Sequence, residues 1–315
     1  MRPGFCDFCP QRPLPVPKHL IAVVGPTAVG KTRVAIELAT RIHTEIVSAD
    51  SRQIFSELNI GVAKPSHEEL QTVPHHFIGR ISIQNDYDAA RFSEEALDLI
   101  ADIHKKNDFA ILCGGSGLYI KALLEGFDPM PEVPDEVRQR ILDAYKTNGI
   151  EWLQAEVEAG DPDFFEVVDR KNPQRLMRAL EIINATGMKP SSLRMKTRRV
   201  LPFDAIKVGL ALERGQLYEQ IDARVDAMVE QGLFEEAASL FEFRTLNALQ
   251  TVGYQEIFGY MEGKYDKAEA IRLLKRNTRR YAKRQMTWFR KDSEIKWFRP
   301  DELEAIVDYI KPSTG

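Results

Sequence analysis

The sequence is poor in cysteine and has neither a long apolar run nor an excess of basic residues. Three cysteines in 315 residues are too few, and odd in number, for a disulfide framework. No apolar run approaches the roughly 18 residues that span a membrane, and no apolar segment near the N-terminus is typical of a secretory signal. These absences favour a globular protein of the reducing cytoplasm without a membrane partner.

The net charge of −4 gives no overall indication of a nucleic-acid partner, so any such surface must come from a local cluster. Residues 1–18 contain five prolines and are predicted to form a disordered arm. The arm also contains the pair Cys6 and Cys9. No second Cys or His pair follows at the spacing of a zinc site, so we interpret this pair as incidental.

The clearest motif is a glycine loop that joins a predicted strand to a predicted helix. The loop matches G-x-x-x-x-G-K-[ST] and consists of Gly25, Pro26, Thr27, Ala28, Val29, Gly30, Lys31 and Thr32. An apolar run, residues 20–24, precedes it, and a helical apolar pattern follows it to Ile42. The glycines allow N–H groups to face one hollow, Lys31 adds a positive charge, and the Thr32 hydroxyl is a candidate Mg²⁺ ligand. The loop therefore predicts a site for a di- or triphosphate.

An acidic residue follows the second predicted strand. Residues 45–49 form a β-pattern that ends at Asp50. In open α/β sheets, ligands bind beyond the carboxyl ends of the strands, so Asp50 is expected to face the same crevice as the glycine loop. A cap of a following turn is the alternative role for an aspartate at this position.

The third predicted strand, residues 109–113, is informative because no acid follows it. Typical P-loop NTPases place an acidic partner of Mg²⁺ at such a strand end. Here the chain continues instead with Gly114, Gly115, Ser116 and Gly117, which offer backbone N–H groups and one hydroxyl. This difference argues against a motor or switch NTPase. Cys113 ends the apolar run and is interpreted as an inert core thiol.

Three prolines between residues 128 and 135 indicate a domain boundary. Helical patterns follow, and residues 207–212 then resemble a further strand of the first sheet. The predicted divisions are a disordered arm (1–18), the first part of a P-loop core (19–129), a helical insertion (130–201), a core strand with C-terminal helices (202–300) and a C-terminal tail (301–315). The expected fold class is α/β, with a P-loop NTPase-like parallel sheet flanked by helices and an all-helical insertion domain.

A cluster of basic residues lies near the end of the chain. Residues 272–291 contain nine basic residues and no acidic one. Four arginines at every fourth position predict a positive stripe along one helix, namely Arg272, Arg276, Arg280 and Arg284. A solvated face usually mixes both signs, whereas a stripe of one sign beside aromatic residues suits a phosphate backbone. We therefore predict a nucleic-acid surface, with a solvated helix face as the alternative.

Together with further motifs, these features resemble the tRNA dimethylallyltransferase (tRNA isopentenyltransferase) family from about residue 19 to residue 290. Besides the glycine loop, the resemblance is carried by residues 48–53 (SADSRQ), 61–65 (GVAKP), 74–76 (PHH), 114–116 (GGS), 173–178 (PQRLMR), 252–254 (VGY) and 282–289 (AKRQMTWF). As a set, these motifs are far more specific than the glycine loop alone.

The resemblance implies that dimethylallyl diphosphate donates its five-carbon group to N6 of the adenosine beside the tRNA anticodon, with Mg²⁺ as cofactor. It implies that Asp50 is the general base, and that Lys31, Thr32 and Ser116 also take part, with Thr32 on the metal. A base is needed because the adenine amino group must lose a proton as its nitrogen bonds to carbon. The expected partners are tRNA and dimethylallyl diphosphate, and the expected state is a monomer.

The tRNA contacts of the family map onto two groups of residues. The first group comprises Asp50, Ser51, Arg52, Gln53, Ser116, Arg138, Gln174, Arg175, Leu176, Met177 and Arg178. The second group comprises Gln250, Thr251, Val252, Gly253, Tyr254, Gln255, Lys283, Arg284, Gln285, Trp288 and Arg290.

The sequence departs from the family at Ser116, where Thr is more common, and at Phe55, where Tyr is common. No Cys/His set follows residue 290, so the zinc finger of eukaryotic relatives is missing and a bacterial-type protein is expected. Three alternatives remain. They are an adenylate isopentenyltransferase acting on a free nucleotide, a P-loop nucleotide kinase that uses ATP, and a tRNA-binding protein with an inactive phosphate site.

Overall fold

The computed structural model describes residues 17–128, 130–193 and 199–311. The chain divides into two compact units, one formed by residues 1–124 and 201–315 and the other by residues 125–200. The predicted proline-rich arm, with Cys6 and Cys9, lies outside the described residues except for Pro17 and Lys18. Lys18 forms an ion pair of 2.9 Å with Asp108.

The first unit is built on a six-stranded parallel sheet. The strands are β1 (His19–Val24), β2 (Ile46–Ser48), β3 (His75–His76), β4 (Phe109–Gly114), β5 (Asp204–Leu210) and β6 (Lys296–Phe298). Their order in the sheet is β3-β2-β4-β1-β5-β6. The central strand β1 pairs with β4 on one side and with β5 on the other, so that Val24 lies beside both Gly114 and Gly209. The predicted α/β sheet is thereby confirmed.

Helices follow most strands. In the first unit they are α1 (Lys31–Ile42), α2 (His67–Thr72), α3 (Ala89–His104) and α4 (Gly117–Glu125). The second unit contains α5 (Asp135–Gly160), α6 (Pro162–Val167) and α7 (Pro173–Thr186). The chain then returns to the first unit with α8 (Arg214–Glu230), α9 (Leu233–Ser239), α10 (Gln255–Met261), α11 (Lys267–Phe289) and α12 (Leu303–Ile310). Two short 3₁₀ turns, Phe241–Phe243 and Asn247–Leu249, lie between α9 and α10.

The continuous apolar run of β1 is explained by burial on both faces. Leu20, Ala22 and Val24 belong to a core on one side of the sheet. Ile21 and Val23 belong to a second core on the opposite side, where they meet α1 and α12. Successive strand residues point to opposite faces, so a strand covered on both sides must be apolar throughout. The glycine loop, residues 25–32, called the phosphate loop from here on, therefore follows a strand in which all six residues are buried.

The second unit has a helical core of its own. Buried side chains of α5 and α7, among them Leu153, Val157 and Leu180, form this core. The sequence predicts helix nearly throughout this stretch, whereas the structure has three separate helices, with breaks at Asp161 and at residues 168–172. Helix α5 is kinked at Gly149, whose φ of 76° is not helical. Helix α7 ends at Gly187, which has a φ of 71° and caps the last turn in the left-handed region.

Three elements differ from the sequence-based expectations. His75 and His76, for which no strand was predicted, form the short edge strand β3 beside β2. Residues 296–298, in the stretch predicted to contain the C-terminal helices, form the opposite edge strand β6. Residues 301–315 were expected to be a tail, yet they include α12, whose Ile306 is fully buried. Among the described residues, no helix is long and apolar enough to cross a membrane.

Candidate active site

The phosphate loop connects β1 to α1 with little room for side chains. A Cβ added to Gly25, whose φ is +151°, would lie 2.6 Å from the carbonyl oxygen of Leu210. Gly30 precedes α1 in the left-handed region with a φ of +95°. Both positions favour glycine, because side chains rarely adopt such φ values. The backbone of the loop and the N-terminus of α1 therefore surround one hollow.

Lys31 begins α1 and lies within this loop. Its Nζ donates a hydrogen bond of 2.7 Å to the carbonyl oxygen of Pro26. Burial lowers the pKa of the Lys31 ammonium to about 8, against opposing contributions from Cys113 and Asp50. Burial also raises the pKa of the Cys113 thiol to about 11, so that this neighbour is neutral at pH 7. A poorly solvated ammonium in a loop of N–H groups is suited to bind an anion.

Asp50 follows β2 directly, as the sequence predicts. Its Oδ1 accepts hydrogen bonds from the backbone N–H groups of Arg52 at 2.9 Å and Gln53 at 3.3 Å. Among the described residues, Oδ2 has no hydrogen-bond partner. One oxygen therefore fixes the carboxylate, and the other remains able to accept a proton. The predicted capping role and the predicted reactive role are compatible.

The residues after β4 support the turn that carries Asp50. Ser116 Oγ accepts a hydrogen bond of 2.9 Å from the Ser51 N–H and donates one of 3.2 Å to the Ser51 hydroxyl. The Ser116 N–H also donates to the carbonyl oxygen of Ala49. The hydroxyl predicted to be catalytic is therefore engaged in holding residues 49–51. These hydrogen bonds support the turn that carries Asp50, and the catalytic role of Ser116 stays a prediction.

One cavity of about 300 Å³ joins these features. It is lined by Lys31 and Thr32 from the loop, by Asp50 after β2, and by residues 113–115 at the end of β4. Further parts of its wall come from residues 61–63, residues 251–253, Arg224 of α8, and Leu274, Thr278, Tyr281 and Gln285 of α11. The phosphate loop, the acidic residue and the predicted basic helix therefore meet at a single site.

Arg224 was missed by the sequence analysis. Its Nη1 lies 3.5 Å from the Thr27 hydroxyl of the phosphate loop, and the residue lines the cavity. Burial lowers the pKa of this guanidinium, while the charge of Asp50 raises it. In the sequence Arg224 stands between Asp222 and Asp226 on an ordinary amphipathic helix, which gives no local signal of a binding role.

Tyr281 places an aromatic ring of α11 on the cavity. Burial raises the pKa of its phenol to about 12, and the charge of Asp50 acts in the same direction. The side chain is therefore neutral at pH 7.

The basic stripe of α11 is less uniform than its sequence suggests. Arg272 forms an ion pair with Glu269 at 2.6 Å, and Arg279 pairs with Asp222 at 2.5 Å. Lys275 is likewise paired, with Asp226 of α8. Within residues 272–291, the exposed basic residues without an acidic partner among the described residues are Arg280, Lys283 and Arg284 of α11 and Arg290 and Lys291 just beyond it. The free positive charge is thus concentrated toward the C-terminal end of the helix.

Three predicted tRNA contacts are internal. Gln285 is 7% exposed, and its side-chain amide accepts from the Thr27 N–H at 2.8 Å and donates to the Gly115 carbonyl at 2.9 Å. Tyr254 and Leu176 are fully buried. The expectation of direct RNA contact is therefore revised for these three side chains. Gln285 instead ties the phosphate loop to the residues after β4.

The other predicted tRNA contacts in the first unit are at least partly accessible. Arg52 and Gln53, together with Thr251, Val252 and the backbone of Gly253, line the cavity. Gln250 and Gln255 are exposed and bond to each other at 2.6 Å. Ser51 and Trp288 are half-buried, and the Trp288 ring lies against Gly117, where a Cβ would collide with it.

The remaining predicted contacts belong to the second unit. Arg138, Gln174 and Arg175 are exposed there, and Met177 is half-buried. Arg138 forms a surface ion pair of 3.3 Å with Asp135. Arg178 pairs with Glu181 at 3.2 Å and donates to the carbonyl oxygen of Pro131.

The side chains that line the cavity determine how the expected Mg²⁺ could be bound. Among the described residues, no three His, Cys, Asp or Glu side chains are grouped so as to hold a metal ion. The half-buried Thr32 offers one hydroxyl to the cavity. Protein-bound Mg²⁺ commonly keeps several waters and shares substrate phosphates with one or two protein oxygens. The residues present fit a Mg²⁺ that binds with a diphosphate, and they do not form a cage of protein ligands alone.

Comparison with known proteins decides the family. The family model described as IPP transferase matches residues 53–292. The chain belongs to this family. A tRNA dimethylallyltransferase of Cytophaga hutchinsonii is 48% identical over 294 residues, which cover 93% of this chain and 97% of the relative. A tRNA dimethylallyltransferase 1 of Bacteroides thetaiotaomicron is 42% identical over 93% of this chain and 95% of the relative.

Solved structures of IPP transferase family proteins have the same fold. The full-length tRNA isopentenylpyrophosphate transferase of Bacillus halodurans aligns with a TM-score of 0.69 and 36% identity, covering 93% of this chain and 95% of that one. A eukaryotic dimethylallyltransferase, described as acting on tRNA, aligns with a TM-score of 0.74 and 26% identity, covering 91% of this chain and 75% of that one. The resemblance inferred from the motifs is thereby confirmed.

Proposed function

We propose that this chain is a tRNA dimethylallyltransferase. It transfers the dimethylallyl group from dimethylallyl diphosphate to N6 of the adenosine on the 3′ side of the anticodon, and it releases diphosphate. The observation that carries the proposal is the single cavity in which the phosphate loop, the Asp50 carboxylate and α11 meet. The family's named relatives support the same reaction.

In this proposal, the phosphate loop binds the diphosphate leaving group. As the bond between C1 of the prenyl group and the diphosphate oxygen breaks, negative charge grows on the diphosphate. Lys31 and the loop N–H groups stabilise that charge, and Arg224 of α8 lies beside the same loop. Mg²⁺ would be held by the Thr32 hydroxyl and the substrate phosphates, and it would supply further charge neutralisation.

Asp50 acts as the general base for the acceptor adenosine. The nitrogen N6 forms a bond to C1 and passes one proton to the free Oδ2 of Asp50, so that a neutral secondary amine and a protonated carboxyl result. Hydrogen bonds from Arg52 and Gln53 keep the carboxylate in place for this step. The adenine must leave its stack in the anticodon loop to reach a half-buried acid, as base-modifying enzymes require.

The exposed basic residues toward the end of α11 bind the tRNA in this proposal. Arg280, Lys283, Arg284 and Arg290 are free of acidic partners among the described residues and can neutralise phosphates of the anticodon stem-loop. A free nucleotide needs no such extended surface, which favours tRNA over AMP as the acceptor. We extend the proposal to a monomeric enzyme, because one copy of the chain supplies every residue named here, and we propose the cytoplasm as its location because tRNA is its acceptor.

The test is a transfer assay with two acceptors. The protein is incubated with labelled dimethylallyl diphosphate and either tRNA or AMP, and the products are digested to nucleosides. The proposal expects label in N6-modified adenosine from tRNA and none from AMP. Label in AMP alone would establish the nucleotide-modifying alternative, and phosphate transfer from ATP without prenylation would establish a kinase.

A further inference from the structure

A carboxylate of α9, outside the residues assigned so far, gathers four hydrogen bonds. Glu236 Oε2 accepts from the backbone N–H groups of Asn59 at 3.1 Å and Ile60 at 2.8 Å. Its Oε1 accepts from the Gly61 N–H at 2.9 Å and from the Tyr254 hydroxyl at 2.7 Å. A carboxylate offers about four acceptor positions, so this one is saturated. Three successive N–H groups facing one anion form a backbone nest.

The two segments joined by Glu236 are also in direct contact. A Cβ on Gly61 would lie 2.6 Å from the Tyr254 ring, which is fully buried. Gly253 has a φ of +112°, and a Cβ there would lie 3.0 Å from the carbonyl oxygen of Gly61. Burial and the hydrogen bond to Glu236 raise the pKa of Tyr254, so its hydroxyl remains a donor. The segments can therefore approach this closely only with glycine at both positions.

Both segments form part of the cavity wall and are continuous with the turn of Asp50. Residues 61–63 and 251–253 line the cavity. The Gln53 side-chain amide donates to the carbonyl oxygens of Val62 at 3.2 Å and Ala63 at 2.9 Å. The backbone N–H of Gln53 in turn donates to Asp50 Oδ1. A displacement of residues 59–63 would thus disturb the support of the carboxylate.

We propose that Glu236 is a positioning residue for the transfer reaction. Its carboxylate holds residues 59–63 against residues 251–254, and this contact fixes the position of the cavity wall next to Asp50. The phosphate loop is supported separately, by β1, α1 and Gln285. Loss of Glu236 therefore affects the chemical step and leaves diphosphate binding intact. The inference rests on the proposed function for its kinetic consequence, whereas its structural consequence can be measured without any activity.

The principal variant is Glu236→Gln. The amide has one acceptor oxygen, and its NH₂ group would face N–H donors, so at least one donor of the nest loses its partner. We expect kcat for prenylation of tRNA to fall roughly 10- to 100-fold, as for a small misplacement of reacting groups. We expect the Kd for inorganic diphosphate to change by less than about twofold, because the phosphate loop does not touch Glu236. Backbone amides of residues 59–63 and 251–254 should exchange hydrogen faster.

A matched control is Glu57→Gln. Glu57 also accepts several hydrogen bonds, from the hydroxyls of Ser56 and Ser82 and from the Ile83 N–H. None of these residues lines the cavity. This variant should therefore lose stability and keep its kcat. A second variant, Tyr254→Phe, removes one donor and leaves the three backbone bonds, so its loss of kcat should be smaller than that of Glu236→Gln.

The outcomes separate the possibilities. Wild-type kcat in Glu236→Gln, or equal losses of kcat in the two glutamine variants, would overturn the proposal. If Glu236→Gln does not fold, an unchanged kcat in Tyr254→Phe overturns it, and a reduced kcat with unchanged diphosphate Kd supports it. If the wild-type protein fails to prenylate tRNA, the proposed function fails. Unchanged exchange of residues 59–63 in Glu236→Gln would then refute the positioning role independently.

Discussion

Replacement of Lys31 by methionine should stabilise the ligand-free protein while it destroys the diphosphate site. Burial holds the pKa of this ammonium at about 8, compared with 10.5 in the unfolded chain. Because folding lowers the pKa of a base, the folded state penalises its charged form. Lowering the pKa from 10.5 to about 8, at about 1.4 kcal/mol per pKa unit, costs about 3–4 kcal/mol, and about 3 kcal/mol is expected at pH 7 because Lys31 is only half-buried and partly screened by solvent. The lost hydrogen bond to Pro26 offsets about 1 kcal/mol.

The net expectation is a gain of about 2 kcal/mol, or about 4–8 °C in Tm for a unit of this size. The size of this stability gain depends on pH. The penalty is fully present below about pH 8 and disappears as pH rises toward 10.5, so the advantage of Lys31→Met should shrink in that window. Thermal melts at pH 7 and pH 10 measure this difference. Added diphosphate should raise the Tm of the wild type but not that of the variant.

The control is Lys105→Met, at an exposed lysine that pairs with Asp102 on the surface. This change should bring no gain in Tm at either pH, because a surface ion pair contributes little. A Lys31→Met protein that is no more stable than the wild type at pH 7, or whose advantage persists unchanged at pH 10, would refute the reasoning.

Two further predictions concern the loop and the RNA surface. Gly25→Ala places a methyl group against the Leu210 carbonyl at an unfavourable φ, so calorimetry should show loss of diphosphate binding together with about 1–3 kcal/mol of stability. Diphosphate binding equal to that of the wild type would contradict this prediction. The double variant Lys283→Ala, Arg284→Ala should weaken tRNA binding and reduce the salt slope of log Kd by roughly 1.5–2. Arg272→Ala is its control and should change the slope less, because this guanidinium is already paired with Glu269.

The parts of the fold that the sequence predicts are those encoded by local patterns. The run before Gly25 reads as a strand because β1 is buried on both faces. Asp50 could be placed near the phosphate loop because parallel strands end at one edge of the sheet. The edge strands β3 and β6 have only two and three residues, too few for a periodic pattern. Their place in the sheet is set by tertiary pairing.

The parts of the site that the sequence does not reveal depend on contacts between distant elements. Arg224 reaches the phosphate loop across 197 residues, and Glu236 contacts Gly61 across 175. Gln285 was predicted to contact tRNA, yet its side chain bonds to Thr27 and Gly115 inside the first unit. A single polar residue in a helical pattern does not indicate which distant element it will contact. Only the packed structure distinguishes these three from their exposed neighbours.

The most direct test of the account is the activity of Asp50→Asn. Asparagine keeps an acceptor oxygen for the N–H groups of Arg52 and Gln53, so the turn should survive while the base is removed. Single-turnover prenylation of tRNA should fall by roughly 10³-fold or more, with the Kd values for tRNA and diphosphate within a few-fold of the wild type. A variant that transfers the prenyl group at nearly the wild-type rate would contradict the claim that this carboxylate takes the proton from N6.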